Sequence, residues 1–251
     1  MSGRLEGRAA IVTGVGSGLG REIARVLAAE GAHVLGCDVN DAPGEATMDG
    51  VGAYRHADVA IECAVEELVA EALQRFGKLH VMVNNAAIQI EEELAETTEE
   101  QLDRILGVNL KGVFFGCKHA VRAMRGSGGG SIVNIASILG LVGDGILAAY
   151  CAAKGGVLGI TRATAVRYGR DGIRCNAICP GDIDTPLVAA YFATSDDPAA
   201  LRAEVEAEYP LGRIAQPGEI ARGVVFLASD DSSFMSGQPL ILDGGLLADC
   251  Y

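Results

Sequence analysis

The chain has 251 residues, of which 49% are hydrophobic, and its 33 acidic residues outnumber 20 basic ones to give a net charge of −13. This length and composition favour a compact globular protein and argue against disorder. The negative charge repels nucleic acid and anionic lipid at long range, so we expect neither as a partner.

The sequence lacks a basic-then-apolar leader and a run of 18 apolar residues, so secretion and membrane spanning are not expected. Seven cysteines form an odd, scattered set, which favours buried small side chains in a reducing cytoplasm. The four histidines are equally dispersed. They form no ligand pattern with the cysteines, so we expect no protein metal site.

Short β-rich runs alternate with amphipathic segments along the whole chain. The predicted strands are 9–13, 33–39, 53–57, 80–86, 131–137, 173–179 and 239–245. The predicted helices are 18–30, 61–76, 98–125, 148–169 and 217–229. This alternation indicates an α/β fold with a doubly wound parallel sheet of about seven strands and helices on both faces.

Two further features bear on domain organisation. Segment 182–216 has a helical pattern interrupted by Pro186, Pro198 and Pro210, and we predict that it is a mobile substrate lid. No linker-like change of composition and no internal repeat divides the chain. We therefore expect a single domain over 1–251.

The stretch TGVGSGLG follows the first predicted strand and opens the first helix. Gly14 allows the tight turn, Gly18 lets a pyrophosphate approach the backbone, and Gly20 permits close packing of helix on strand. A turn of this kind can also exist for packing alone. Its place before a helix N-terminus, where amides and the helix dipole suit an anion, favours a dinucleotide site.

Asp38 closes the second predicted strand, where a carboxylate can accept hydrogen bonds from ribose hydroxyls and repel a 2′-phosphate. Positions 15–17 and 39–40 hold no Arg or Lys, and we interpret Arg21 as a helix-surface residue. The sequence therefore predicts NAD rather than NADP, although DVND could also be a simple Asx turn.

Tyr150 and Lys154 lie four residues apart among small side chains in AAYCAAKGG, so both fall on one helical face. One interpretation is a solvated face on which the ring covers the lysine methylenes. The other is catalytic: a cation one turn away lowers the pKa of a phenol, which then acts as the base in alcohol oxidation.

The chain resembles the short-chain dehydrogenase/reductase family along nearly its whole length. The motifs that carry the resemblance are TGVGSGLG, ADV at 57–59, NNAA at 84–87, GVNLKG, NIASILG, YCAAK and PGDIDTPL. The resemblance implies a single Rossmann domain and NAD-dependent oxidoreduction. Two departures are Ala87, where the family usually has glycine, and a short stretch between Asp41 and Gly52, where relatives usually carry a longer second helix.

By this resemblance the catalytic tetrad is Asn109, Ser137, Tyr150 and Lys154. Ser137 is expected to donate to the substrate oxygen, and Asn109 to hold a water that relays protons from Lys154. Read singly, Ser137 could instead be a helix cap and Asn109 a helix-kink residue. The implied cofactor contacts are Gly14, Ser17, Gly18, Leu19, Gly20, Asp38, Asp58, Val59, Asn85, Ala86, Ala87, Tyr150, Lys154, Pro180, Gly181, Ile183 and Thr185.

The expected substrate is a secondary alcohol, cyclic or with an apolar body, that is interconverted with its ketone. The predicted pocket walls are apolar: Ile90, Ile138, Leu139, Val142, Leu147, Leu187, Tyr191 and Phe192. Asp144, Gln89 and the acidic run 91–93 could add polar contacts. Alternatives left open are an NADPH-dependent ketoreductase for carrier-bound acyl chains and a non-catalytic NAD(H) sensor.

Family resemblance also suggests a homotetramer with two-fold interfaces. The small-residue helix at 148–159 and the amphipathic helix near 98–125 are the predicted subunit contacts, because small side chains let a second helix approach closely.

Overall fold

The fold is a seven-stranded parallel sheet, seen in a computed structural model that describes residues 3–248. The strands are β1 (Ala9–Thr13), β2 (His33–Asp38), β3 (Gly52–His56), β4 (Val81–Asn84), β5 (Gly130–Ile135), β6 (Ile173–Pro180) and β7 (Pro239–Leu242). Their spatial order is β3-β2-β1-β4-β5-β6-β7. The predicted doubly wound α/β fold is confirmed.

Nine α-helices cover the sheet within the described residues. They are α1 (Gly18–Ala29), α2 (Asp41–Met48), α3 (Glu62–Phe76), α4 (Glu99–Leu106), α5 (Gly112–Met124), α6 (Ala148–Tyr168), α7 (Pro186–Phe192), α8 (Pro198–Ala207) and α9 (Pro217–Ala228).

The strands separate two apolar layers because successive side chains of a strand point to opposite faces of the sheet. In β1, Ile11 joins the core under α3, α5 and α6. Its neighbours Ala10 and Val12 join the core under α1 and α9. Both layers are dry, as parallel sheets covered on both faces require.

The strand order reverses between β1 and β4, since the chain builds β2 and β3 on one side of β1 before it returns to the other. A crevice opens at the carboxyl ends of the strands at such a point, and ligands of doubly wound folds bind there. The fold therefore places the turn after β1 beside the segments that follow β4, β5 and β6.

Several predicted boundaries change. The predicted helix 98–125 is broken into α4 and α5 by a π-helical turn, Gly107–Lys111. Segment 41–48, which lacked a predicted helix, forms α2. Pro186 and Pro198 begin α7 and α8 rather than interrupt them, because proline fits the first helical turn.

The three glycines of α6 differ in their surroundings. A Cβ at Gly156 would lie 2.6 Å from Leu110 Cδ1, in the π-helical turn. Gly155 and Gly159 have room around them, with no close atom at Gly159 and only the Gly140 carbonyl oxygen at 3.8 Å from Gly155. Gly156 therefore allows packing within the chain, and the predicted contact of this helix with a neighbouring subunit stays a prediction.

Candidate active site

The glycine-rich turn is held in a shape that only glycine allows at two positions. Gly14 and Gly18 have φ of 75° and 50°, in the left-handed region. A Cβ at Gly20 would lie 1.9 Å from the Gly14 carbonyl oxygen, so α1 starts in direct contact with the end of β1. Ser17 precedes α1 without a side-chain cap, which leaves first-turn amides free to bind an anion.

Asp38 is fixed at the edge of this turn by backbone donors. Its Oδ2 accepts a hydrogen bond from the Gly16 N–H at 2.8 Å, and its Oδ1 accepts one from the Asn40 N–H at 2.9 Å. A Cβ at Gly16 would lie 2.9 Å from Oδ2, so a side chain cannot enter there without a shift. The free lone pairs of this carboxylate suit ribose hydroxyls.

Arg21 is not a surface residue, contrary to the sequence interpretation. It is half-buried, and its Nη2 donates to the Gly16 carbonyl at 2.6 Å. Its Nε donates to the Thr47 hydroxyl at 3.1 Å, which ties the glycine-rich turn to α2. The guanidinium thereby supports the turn, and α2 was the element that sequence reasoning missed.

One cavity of about 810 Å³ connects this turn with the Tyr150 side chain. All seventeen predicted cofactor residues line it: Gly14, Ser17, Gly18, Leu19, Gly20, Asp38, Asp58, Val59, Asn85, Ala86, Ala87, Tyr150, Lys154, Pro180, Gly181, Ile183 and Thr185. The residues present thus fit an extended dinucleotide, with phosphate donors at one end and an acid/base group at the other. Asn109 is the one predicted site residue that does not line the cavity.

Lys154 reaches the site from α6 and is 2% exposed. Its Nζ donates to the Ile135 carbonyl at the end of β5 at 2.8 Å and lies 5.3 Å from the centroid of the Tyr150 ring. Burial lowers the pKa of Lys154 to about 8. The ammonium is therefore held under the phenol by the backbone of the sheet.

Tyr150 behaves differently from the expectation of a lowered pKa. Burial raises its pKa above the ordinary value, and a hydrogen-bond contribution from Ser137 acts in the opposite direction. The pKa of Tyr150 is raised rather than lowered because desolvation disfavours the phenolate and because the Lys154 ammonium is engaged by Ile135. In the protein alone, Tyr150 is a protonated phenol.

Ser137 ends the β5 segment and precedes a 3₁₀ turn, Ile138–Gly140. Its hydroxyl oxygen accepts from the Leu139 N–H at 3.1 Å, so it also serves as the cap considered from sequence. Because that bond uses an oxygen lone pair, the O–H remains available as a donor toward the cavity.

Asn109 lies in the π-helical turn and is fully buried. Its Oδ1 accepts from the Ile88 N–H at 2.8 Å, and its Nδ2 donates to the Ile88 carbonyl at 2.8 Å. The side chain therefore fastens the segment after β4 to α5. Asn109 thus lies where the helix is broken, as the kink interpretation requires, and its side-chain amide is committed to Ile88, while its predicted role in a proton relay stays a prediction.

The segments that follow β4, β5 and β6 form the other end of the cavity. Seven of the eight predicted apolar walls line it, and Ile90 does not. Sequence reasoning missed several further wall residues, among them Val188, Val205, Glu208, Leu246 and Leu247. The last two follow β7 through a turn in which Asp243 accepts from the N–H groups of Gly245 and Leu247.

The segment 182–216 is anchored at both ends. Ile183 pairs with Ala215 in an isolated bridge, and the Tyr209 hydroxyl donates to Asp182 Oδ2 at 2.7 Å. Thr185 lies against the glycine-rich turn, since a Cβ at Gly18 would be 3.4 Å from Thr185 Cβ. The nucleotide end and the start of this segment therefore touch.

Comparison with known proteins decides the family. A family model described as enoyl-(acyl carrier protein) reductase matches residues 14–247. The chain belongs to the short-chain dehydrogenase/reductase family. It is therefore an oxidoreductase of a family that uses nicotinamide cofactors.

Three relatives of this short-chain dehydrogenase/reductase are informative. It is 43% identical over 96% of its length to cis-4-hydroxycyclohexanecarboxylate dehydrogenase of Sinomonas cyclohexanicum, 97% of which is covered. It is 38% identical over 97% of its length to cyclohexanol dehydrogenase of Acinetobacter sp. strain SE19, 96% of which is covered. The solved structure of levodione reductase matches with a TM-score of 0.94 and 37% identity, covering 98% of this chain and all of that one.

No helix among residues 3–248 is long and apolar enough to span a membrane. The same part of the chain contains no group of three or more His, Cys, Asp or Glu side chains placed to hold a metal ion.

Proposed function

We propose that this protein is an NAD-dependent dehydrogenase that interconverts a cyclic or apolar secondary alcohol and its ketone, with Tyr150 as the acid/base. The observation that carries the proposal is the single cavity that joins the Asp38 carboxylate to Tyr150 and Lys154 through an apolar-walled end. The names of the cyclohexane-ring relatives support the same substrate class.

The glycine-rich turn and Asp38 would hold a nicotinamide cofactor, which would supply the acceptor for the hydride that leaves the carbinol carbon in oxidation. The alcohol proton must leave at the same time, so a base must lie within hydrogen-bond reach of that oxygen. Tyr150 takes this role, and Ser137 donates a hydrogen bond to the oxygen as charge changes there. In the reverse direction the protonated phenol donates its proton to the ketone.

Lys154 keeps the phenol competent in both directions. In the protein alone Tyr150 stays protonated. The positive charge of an oxidised nicotinamide, when bound, would add to that of the Lys154 ammonium in favouring the phenolate. The hydrogen bond to Ile135 fixes the distance of the ammonium to the ring. Asn109 acts through the backbone of Ile88, which holds the segment behind the reacting atoms in place. It is a positioning residue for the segment rather than a donor to substrate.

We infer the preference for NAD over NADP from the charges of the side chains that line the cavity. Asp38 occupies the ribose edge, and Lys154 at the far end is the one basic side chain among the described residues that line the cavity. A 2′-phosphate would therefore meet a carboxylate without a compensating cation. The missing basic cluster also counts against a carrier-bound acyl substrate, although the matched family model carries that description.

Initial rates with cyclohexanol-type alcohols, read at the NADH absorbance, test the proposal. We expect turnover with NAD⁺ and a higher kcat/KM than with NADP⁺. Preference for a sugar alcohol, an acyl thioester or NADP⁺ contradicts it. A cytoplasmic location, which the scattered free cysteines favour, is part of the same proposal.

A further inference from the structure

Four carboxylates surround the substrate end of the cavity, and each comes from a different part of the chain. Glu91 follows β4, Asp144 precedes α6, Asp182 follows β6, and Glu208 ends α8. Carboxylic side chains are ionised at neutral pH. The substrate end therefore carries negative charge on several sides.

None of these four carboxylates has a cationic partner among the described residues. Their hydrogen-bond donors, where present, are neutral: the Gln89 amide for Glu91, the Ile146 N–H for Asp144 and the Tyr209 hydroxyl for Asp182. Their charges are not neutralised by these bonds.

The nearby arginines are engaged elsewhere. Arg202 pairs with Asp184 at 3.0 Å and with Glu206 at 2.9 Å. Arg213 pairs with Glu219 at 2.7 Å. Asp184, Glu206 and Glu219 thus have guanidinium partners, whereas the four acids at the substrate end do not.

Tyr191 of α7 shows that three of these charges act on one point. It lines the cavity, and its pKa is raised by burial and then by Glu91, Asp182 and Asp144, with a smaller contribution from Glu204 outside the cavity. Those carboxylates stand on three segments, so their fields overlap at the Tyr191 phenol. A substrate whose ring packs on Tyr191 would lie in that combined field.

The cation in the cavity cannot offset this field at the far end of a substrate. Lys154 is buried below Tyr150 and donates to Ile135, at the reacting end. A carboxylate on the opposite side of a six-membered ring would point away from it, into the region that the four acids surround.

We propose that these unpaired carboxylates restrict the enzyme to uncharged cyclic alcohols and exclude substrates that carry a carboxylate. The inference rests on the proposed function, because it assumes that a cyclic alcohol reacts at Tyr150. The proposed exclusion would make the substrate range of this chain differ from that implied by the name of the 43% identical relative, a hydroxycyclohexanecarboxylate dehydrogenase. Specificity here comes from a repulsive element rather than from an added contact.

The test compares cis-4-hydroxycyclohexanecarboxylate with its carboxamide, which has nearly the same size and no charge. Glu91, Asp144 and Glu208 are exposed and Asp182 is half-buried, so their repulsion of a substrate carboxylate depends on the sum of several charges. At low ionic strength we expect kcat/KM with NAD⁺ to be at least about 10-fold higher for the amide, because these like charges act together. Salt should narrow the ratio because it screens the repulsion. Equal values, or a higher value for the carboxylate, overturn the inference.

A charge-neutralising variant gives a second measurement. Glu91→Gln/Asp144→Asn should reduce the amide-to-carboxylate ratio at least about 3-fold, because two of the repelling charges are lost. The matched control is Glu66→Gln/Asp49→Asn, which removes the same charge from exposed positions outside the cavity. An unchanged ratio in the first variant, or an equal reduction in the control, contradicts the assignment.

A binding measurement separates failure of this inference from failure of the proposed function. Quenching of NADH fluorescence in the enzyme–NADH complex reports binding of both compounds without turnover. Preferential binding of the amide without turnover of either compound supports charge exclusion and contradicts the proposed reaction. Equal binding of the two contradicts charge exclusion, and binding of neither contradicts both.

Discussion

Asn109 and Ile88 form a reciprocal pair of hydrogen bonds: the side-chain amide both accepts from the Ile88 N–H and donates to the Ile88 carbonyl, each at 2.8 Å. The pair joins the π-helical turn between α4 and α5 to the segment after β4, which lines the cavity. The buried Asn109 side chain thus bonds the N–H and C=O groups of Ile88, which have no partner in a neighbouring strand.

Asn109→Ala should destabilise the protein by at least about 2 kcal/mol, because it leaves two polar groups of Ile88 without their partner. It should also lower kcat/KM through displacement of the segment at 85–89. Urea unfolding and steady-state kinetics measure the two effects. Gln74→Ala is the control, since Gln74 is exposed on α3 and lies outside the cavity. A variant with unchanged stability would contradict the role of the pair.

Tyr150→Phe should lower kcat at least about 10²-fold, because it removes the ionisable oxygen and keeps the ring packing. NADH binding, followed by fluorescence, should be retained. Tyr168→Phe, at the end of the same helix and outside the cavity, is the control. If Tyr150→Phe keeps more than about half of the rate when chemistry limits turnover, Tyr150 is not the acid/base.

Asp38→Ala should narrow the preference for NAD⁺ over NADP⁺, mainly by weakening NAD⁺ binding. The carboxylate is the ribose-side acceptor, and its loss also removes repulsion of a 2′-phosphate. Dissociation constants and kcat/KM for both cofactors measure the change. Asp49→Asn, at the exposed C-cap of α2, should leave the preference unaltered. An unaltered preference in Asp38→Ala would count against the site.

Lys154→Met should change how the stability of the cofactor-free protein depends on pH. Folding lowers the pKa of Lys154 from 10.5 to about 8, so the unfolded state binds more protons between these values. Wild-type stability should therefore rise with pH relative to the variant, by about 2 kcal/mol between pH 7.5 and 9.5. Urea unfolding at both pH values checks this, with Lys111→Met, an exposed position, as control. If the free energies of unfolding of the wild type and of Lys154→Met change by the same amount between the two pH values, Lys154 is not a buried lysine with a lowered pKa.

Phe114→Glu should dissociate the proposed homotetramer. Phe114 lies on α5, in the helical region predicted to form subunit contacts, and is 53% exposed in the single chain. An exposed aromatic side chain of this kind is typical of an interface core. Sedimentation velocity measures the assembly, and Ala70→Glu on the exposed face of α3 is the control. A stable, active wild-type monomer at micromolar concentration would contradict the assembly itself.

The parts of the site that sequence predicted well are those fixed by local geometry. The glycine-rich turn, Asp38 at a strand end and the Tyr150–Lys154 spacing each depend on a few consecutive residues and on the strand-helix alternation around them. They converge because parallel strands bring their carboxyl ends to one edge.

The parts that were missed depend on contacts between distant segments. Arg21 reaches Thr47 only because α2 forms, and Leu247 enters the cavity only through the turn after β7. The direction of the Tyr150 pKa shift also required the fold, since burial is set by the packing of several elements and is invisible in a four-residue spacing.

The bridge between Ile183 and Ala215 brings together the two ends of segment 182–216. The entropic cost of closing a loop grows only slowly with its length, so a stretch of different length that keeps the apolar cluster of Phe192, Tyr209 and Ile214 can be closed by the same bridge. Tyr150, Lys154 and Asp38 are attached to the sheet and α6, outside that segment. Replacing residues 187–214 with the corresponding stretch of another family member leaves the predicted cofactor contacts Ile183 and Thr185 in place. This exchange should therefore alter the range of alcohols accepted, while the hydride chemistry and the cofactor preference are retained.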